Sequence, residues 1–370
     1  MHIAVDAREL TGHPTGVGTY LRQLLGHWQS MPEAAAHRWT LYVPEGPGRE
    51  MNRAALAAHR LPPNSDWRGL AGNGGTWWEQ RALAGALRGD RPDVLFAPGY
   101  TAPLAVAAPV VLTVHDLSFV AHPEWFSTRE GIRRRVLTRW SARRARAILT
   151  VSEFSRREIV DRFGIPADRV QAIPHGISRP SSPPPADPRP PVVLFVGSIF
   201  NRRRVPDLVR AFAMTAARVP DARLHIVGDN RTHPPQDLDA LATSLGVADR
   251  VVLRSYVPHE ELGAMYAQAR AFAFLSEYEG FGFTPLEAIA HSVPVVVVDT
   301  PVAREIYGDA ALYVGAGDLA ATATALEQLL LDAGVRRAQL QHGDRILQRY
   351  CWTEAAARTL RAIEQAGARV

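Results

Sequence analysis

The sequence predicts an α/β protein of two domains, each built on a parallel sheet, and three observations carry that prediction. A chain of 370 residues suits about two domains at the usual ~150 residues each. Short apolar runs alternate with helical or irregular stretches along nearly the whole length, as expected of strands buried on both faces by crossover helices. Seven prolines crowd into Ser178-Arg-Pro-Ser-Ser-Pro-Pro-Pro-Ala-Asp-Pro-Arg-Pro-Pro191, forbid regular structure and mark a semi-rigid spacer between two groups of strands. The predicted division is a first domain over 1–178, a linker over 179–191, a second domain over 192–352 and a terminal segment, helical from 354, over 353–370.

Composition narrows the function classes. Hydrophobic residues make up 46% and charged residues 21% of the chain, ordinary for a globular protein. The single cysteine, Cys351, excludes an internal disulfide and offers no thiolate cluster, so a reducing compartment is expected. The amino-terminal residues read as a strand without the basic-then-apolar plan of a signal peptide, and no apolar run approaches the ~20 residues of a membrane span. A cytoplasmic protein is predicted. Net charge is +5, and with no lysine present all 42 basic side chains are arginine. That balance admits a phosphorylated substrate, an anionic membrane surface or nucleic acid, and charge alone does not choose.

In the first domain, 2–7 is an apolar strand, and Gly16-Val-Gly-Thr-Tyr20 opens an amphipathic run. A strand, glycine turn and helix start make an anion site. A dinucleotide fingerprint would need a third glycine where Leu21 stands, and a plain structural turn is the other reading. Further strands are expected at 40–43, 94–97, 110–114 and 147–151. Ligands of parallel sheets sit beyond the carboxyl ends of strands, which singles out His115, directly after 110–114; the alternative is that it only caps the strand end. Trp77 and Trp78 either line an acceptor groove or anchor a helix. Between Arg129 and Arg146, eight arginines accompany Ile132, Val136, Leu137 and Trp140. This reads as a surface helix docked on the sheet by its apolar stripe, or as a basic amphipathic helix lying on an anionic membrane.

In the second domain, 192–196 is a buried strand followed by Gly197-Ser-Ile-Phe-Asn-Arg-Arg-Arg204. Arginine suits a diphosphate because its planar fork donates two parallel hydrogen bonds. Strands at 224–227, 251–253 and 271–275 follow. The last leads into Ser276-Glu-Tyr-Glu-Gly-Phe-Gly-Phe-Thr-Pro-Leu-Glu287, where Gly280 and Gly282 permit close backbone approach and Pro285 suits the first turn of a helix expected over 286–290. A helix start there would hold a phosphate or sugar hydroxyl without a cation. Glu279 and Glu287 bracket it and would grip different parts of one ligand, although Thr284-Pro-Leu-Glu287 is also a capping box that would employ Glu287 structurally.

The stretch Glu279-Gly-Phe-Gly-Phe-Thr-Pro-Leu-Glu287, with Ser292-Val-Pro-Val-Val296 and Glu305-Ile-Tyr-Gly-Asp-Ala310, resembles the signature of family-four retaining glycosyltransferases of the GT-B fold. The resemblance implies two Rossmann-like domains with parallel sheets facing each other across a cleft, and a last helix crossing back onto the first domain. It places Glu279 against the donor sugar, Gly280, Phe281, Gly282 and Phe283 on the diphosphate, and Glu287 on the ribose. It gives Ser198, Arg202 and Arg203 to the diphosphate as well, although lysine is usual where Arg203 stands, and leaves Arg204 as a solvated charge. The backbone at Tyr256 and Val257 would meet the base. In the first domain Gly16 and Gly18 would face the donor phosphates, and His115, within Thr113-Val-His-Asp-Leu-Ser118, would act near the reacting carbon with Glu279 as the catalytic pair.

The implied reaction moves a hexose, first mannose from GDP-mannose as in bacterial mannosyltransferases of polysaccharide assembly, to a hydroxyl of a glycan or lipid-linked acceptor with retention. No metal motif is read in the chain, so no metal or other cofactor is expected, and arginines and helix starts would take the cation's place. Nucleic acid is not an expected partner; peripheral contact with an anionic inner membrane face is. A nucleotide-sugar epimerase of the same fold, or a non-enzymatic basic surface binder, is the alternative.

Overall fold

The computed structural model describes residues 1–11, 16–46, 59–180 and 189–368, and most of the proline-rich spacer, 181–188, lies outside them. The chain forms two compact units, one of Met1–Gly176 with Cys351–Val370 and one of Ile177–Tyr350. The cuts fall two residues ahead of those read from the sequence at 178 and 352, so Cys351 and Trp352 go with the first unit. At Gly176 a Cβ would come within 2.2 Å of the Trp352 backbone nitrogen, which binds the two ends of this unit closely together.

The first unit carries a seven-stranded sheet, β1 (His2–Asp6), β2 (Arg38–Glu45), β3 (Ser65–Ala71), β4 (Val94–Ala97), β5 (Val110–Thr113), β6 (Ala147–Thr150) and β7 (Val170–Ala172), in the order β3-β2-β1-β4-β5-β6-β7. The second carries β8 (Val192–Val196), β9 (Arg223–Val227), β10 (Val251–Arg254), β11 (Ala271–Phe274), β12 (Val295–Val298) and β13 (Ala311–Val314), in the order β10-β9-β8-β11-β12-β13. Every pairing is parallel. Both sheets are doubly wound: the order reverses between β1 and β4 and again between β8 and β11. Ligands of such sheets bind outside the carboxyl ends at this reversal, so the loops after these four strands are the ones to inspect.

The helices that shape these units are α1 (Gly16–Trp28), α2 (Thr128–Arg144), α3 (Val205–Arg218), α4 (Phe283–Ala290), α5 (Leu319–Leu331) and α6 (Trp352–Gly367). In the first unit α6 packs on α1; Trp28 stacks on Trp39 at 5.0 Å and its indole N–H donates to Ala356 O at 2.9 Å. In the second, β8 and β12 are buried along their whole lengths, and the buried side chain of Gln339 clasps β12 through both the N–H (2.6 Å) and the C=O (3.0 Å) of Val295. Strand β3 has no apolar run to announce it. It is an edge strand with Asp66 and Arg68 turned to solvent, paired with β2 through seven residues.

The arginine-rich helix departs from its docked reading. Ile132, Val136 and Trp140 are 49%, 48% and 53% exposed, and α2 is instead buried through Gly131, Thr138, Ser141 and Ala142. Ser141 fixes it to the loop after β4, its hydroxyl accepting from Ala102 N and donating to Ala102 O. The tryptophan pair also separates: Trp78 is buried with its N–H on Leu70 O, while Trp77 is 73% exposed with the Arg81 guanidinium over its ring. Among the described residues no helix is long and apolar enough to cross a membrane.

Candidate functional site

In the second unit the loops after β8 and β11 meet. Gly197 ends β8 at φ 138°, a left-handed-side conformation natural to glycine, and a Cβ there would sit 2.4 Å from Arg203 Nη1. A 3₁₀ turn over Asn201–Arg203 then turns the arginines back toward the sheet. Arg203 Nε donates to Glu279 Oε1 at 3.0 Å and its Nη1 to Ser198 O at 3.0 Å, with the guanidinium 5.1 Å over the Phe274 ring. Ser276 Oγ donates to the same carboxylate oxygen at 2.9 Å. Arg202 lies 3.9 Å from it, stacked over Phe200, and its Nε is buried without a hydrogen-bond partner. Ser198, Arg202, Arg203 and Glu279, four of the residues assigned from the sequence to the donor, thus lie together, with Glu279 bonded to Arg203 and beside Arg202.

Arg204 is not the solvated charge expected of it. It occupies a left-handed conformation (φ 47°), caps α3, and pairs with Asp207 at 2.7 Å and Glu277 at 2.6 Å, which hold its charged form and raise its pKa although burial acts the other way.

The glycine loop passes directly into α4, which begins at Phe283 rather than after Pro285. Gly282 is its N-cap at φ 84°, where a Cβ would come 2.1 Å from the Tyr307 hydroxyl that donates to Gly282 O. Thr284 is therefore inside the first turn and the capping-box geometry is not formed. Its hydroxyl is buried without a hydrogen-bond partner. Glu287 accepts from Tyr266 OH at 3.2 Å; burial, then Glu287, pushes that phenol well above its ordinary pKa. The Phe281 ring is buried against Phe283 and Tyr350, which leaves only its backbone for a ligand. After β10, Tyr256 is 70% exposed and Val257 is buried.

In the first unit, the glycine turn expected at Gly16 and Gly18 ahead of the helix is instead the first turn of α1 itself, and the residues before it, 12–15, fall outside the described residues. Among the described residues nothing stands within 4 Å of a Cβ at Gly16. His115 follows β5. Its Nε2 is 2.8 Å from Pro98 O, and because a carbonyl only accepts, Nε2 carries the hydrogen and Nδ1 presents a lone pair. The imidazole stacks on His175 at 5.7 Å with Tyr20 edge-on to both. Burial lowers the pKa of His115, and burial with the neighbouring His115 pulls His175 well below the ordinary value, so both are neutral at pH 7.

A group of residues unread in the sequence lies at the β1/β4 reversal. Arg8 donates through Nε to both oxygens of Asp6 (3.0 and 2.9 Å) and through Nη2 to the buried Glu79. Glu79 Oε1 also accepts from Thr101 Oγ1 at 2.7 Å. Burial lowers the pKa of the guanidinium, but Asp6 and Glu79 more than offset it and raise it above the ordinary arginine value. These residues, with Tyr100 and Arg133, wall a cavity of about 280 Å³. Asp6 stood at a strand end and was legible in principle; Glu79 gave no local signal. Among the described residues no group of three or more histidine, cysteine or carboxylate side chains is placed to hold a metal ion.

Comparison with known proteins adds the family. The family described as Glycosyltransferase Family 4 matches residues 14–179, and Glycosyl transferases group 1 matches 180–344. O-antigen chain mannosyltransferase B of Escherichia coli is 28% identical over 293 residues, 76% of this chain and 77% of that protein. The GDP-mannose-dependent alpha-(1-6)-phosphatidylinositol monomannoside mannosyltransferase of Mycolicibacterium smegmatis is 28% identical over 346 residues, 86% of each. Among solved structures, a sucrose-phosphate synthase from Thermosynechococcus elongatus superposes with TM-score 0.75 at 19% identity, over 100% of both chains. Anabaena HepE in complex with UDP and glucose gives 0.75 at 18% identity, over 98% of this chain and 99% of that one. With the two families matched in succession from 14 to 344, this chain belongs to the family-four glycosyltransferases and has the GT-B fold.

Proposed function

We propose that this glycosyltransferase moves a hexose, first mannose from GDP-mannose, to a hydroxyl of a lipid-linked glycan with retention of configuration. The observation that carries the reading is the carboxylate of Glu279 held by Arg203 and Ser276 at the end of β11, beside a helix start. In the proposed reaction the bond between the anomeric carbon and the diphosphate oxygen breaks, and the diphosphate leaves with the electron pair. Arg202, Arg203 and the α4 amino terminus receive that charge, doing what a metal ion does elsewhere. The acceptor oxygen bonds to the anomeric carbon on the face the diphosphate leaves, and its proton passes to the departing phosphate oxygen. Glu279 steadies the positive character of the sugar, and Glu287 holds the ribose.

The acceptor sugar is assigned to the cavity walled by Asp6, Glu79 and Thr101, where ring hydroxyls find acceptors and donors, and His115 is assigned to the sugar through its Nδ1. Mannose is favoured by the names of two relatives, while HepE was solved with UDP and glucose. The purified chain should be warmed with GDP, UDP, dTDP and ADP in turn and then assayed with the matching sugar nucleotides. Stabilisation by GDP above the rest, and release of GDP from GDP-mannose only when a lipid-linked glycan is present, is expected. Stabilisation by UDP instead removes mannose, and consumption of sugar nucleotide without acceptor would favour an epimerase.

A further inference from the structure

We infer that the outward face of α2 is a membrane-docking surface that seats the first unit on a bilayer rich in anionic lipid; the inference rests on the lipid-linked acceptor proposed above. At about 100° per residue, Ile132, Val136 and Trp140 fall within about 80° of one another, and Arg129, Arg139 and Arg143 fall on the same face. All six are exposed. A stripe of this kind normally turns inward; here Gly131, Thr138, Ser141 and Ala142 make the packed side, and the large apolar groups are left in water with arginines among them.

The charge fits one partner. Residues 128–146 hold eight arginines against a single acid, Glu130, so this segment carries more positive charge than the whole chain's net +5. Glu130 is taken by Arg133 and Arg134. No ion pair reaches Arg129, Arg139 or Arg143 among the described residues. A soluble polyanion would use the arginines and leave Trp140 idle, whereas an anionic bilayer uses both, the indole at the headgroup level and the guanidinium groups on the phosphates. The same helix walls the acceptor cavity through Arg133, Arg134, Leu137 and Thr138. A bilayer against its outer face therefore lies one helix diameter from the cavity that takes the lipid-borne sugar.

The test is co-sedimentation of the full chain with vesicles of phosphatidylcholine alone and of phosphatidylcholine with 30% phosphatidylglycerol. Binding is expected at least tenfold tighter to the anionic vesicles and weakened by salt. Trp140→Glu should weaken it at least tenfold, and the double change Arg139→Glu with Arg143→Glu further still, about fivefold for each charge removed. All these side chains are exposed, so the thermal transition should not move. GDP and UDP titrations of the same samples report the glycosyltransferase reading separately, because that site lies in the other unit: nucleotide binding without vesicle binding overturns only the inference made here. Equal binding to neutral and anionic vesicles, or full binding by the Trp140→Glu protein, overturns it too. So does heparin binding undiminished by Trp140→Glu in a chain that ignores vesicles, which would assign the face to a soluble polyanion.

Discussion

Arg203 and Glu279 are 76 residues apart in the chain and 3.0 Å apart in the fold, the guanidinium on one switch-point loop donating to the carboxylate on the other. The pair fixes the two groups that the proposed reaction needs in register: the cation for the departing diphosphate and the anion for the sugar. A buried or half-buried arginine left without its carboxylate would swing away, and so would the carboxylate without its arginine.

Glu279→Gln tests the anion. The amide oxygen still accepts from Arg203 and Ser276, so nucleotide affinity should stay within a few-fold while turnover falls at least a hundredfold. Turnover within a few-fold of the parent would remove Glu279 from the chemistry.

Arg203→Ala and Arg204→Ala should separate ligand contact from scaffold. A charge-assisted hydrogen bond contributes about 1.5–3 kcal/mol, so the first change should weaken the nucleoside diphosphate about tenfold to a hundredfold, and the monophosphate far less. Arg204→Ala should alter neither by more than about twofold, yet lower the melting temperature, because Glu277 loses its partner and Asp207 keeps only Arg210; partial exposure keeps that cost to about 1 kcal/mol. Calorimetric titration and melting of both variants decide it, and equal loss of diphosphate would reduce the loop to a diffuse positive field.

His115→Ala should depress transfer at least tenfold and leave a cooperative thermal transition; a protein that no longer melts cooperatively would mean that the imidazole only finishes the strand. Acid sensitivity tests the same cluster. His115 and His175 are neutral in the fold with pKa values lowered by burial, while the unfolded chain takes up protons near 6.5. The unfolded state then binds more protons, so stability is full above about pH 6.5 and falls as pH drops below it, by up to ~1.4 kcal/mol per unit for each histidine. Melting from pH 7.5 to 5 should show this decline, and His175→Phe should flatten it. An unchanged slope would contradict the buried neutral pair.

Arg8→Met should strand Asp6 and Glu79 as buried carboxylates and cost about 3–5 kcal/mol. The conservative Thr101→Val leaves that ion triad in place and should raise the acceptor KM with little change in nucleotide affinity. A variant with normal acceptor kinetics would move the acceptor away from this cavity.

Transfer should survive a chelator. Because Arg202, Arg203 and the α4 amino terminus are assigned the leaving-group charge, millimolar EDTA should change the rate by less than about twofold. A loss of tenfold or more that magnesium or manganese restores would assign that role to a metal.

The sequence by itself determined the fold class and the neighbourhood of the donor site. Strands such as Val192–Val196 and Val295–Val298 are apolar along their length because both faces are buried, and that signal is local. The glycines and carboxylates between Glu279 and Glu287 announce a loop leading into a helix for the same reason: turn and helix preferences act over a few residues. Tertiary structure decided everything that depends on strand order. It placed Asp6, Arg8 and Glu79 together across 71 residues, joined Arg203 to Glu279, and tied up Arg204, none of which any local pattern encodes. It also chose the face of α2. An amphipathic period reveals that a helix has an apolar stripe, but whether that stripe turns inward depends on how small the opposite side is, and here Gly131, Ser141 and Ala142 pack closely enough to win the sheet and leave Trp140 outside.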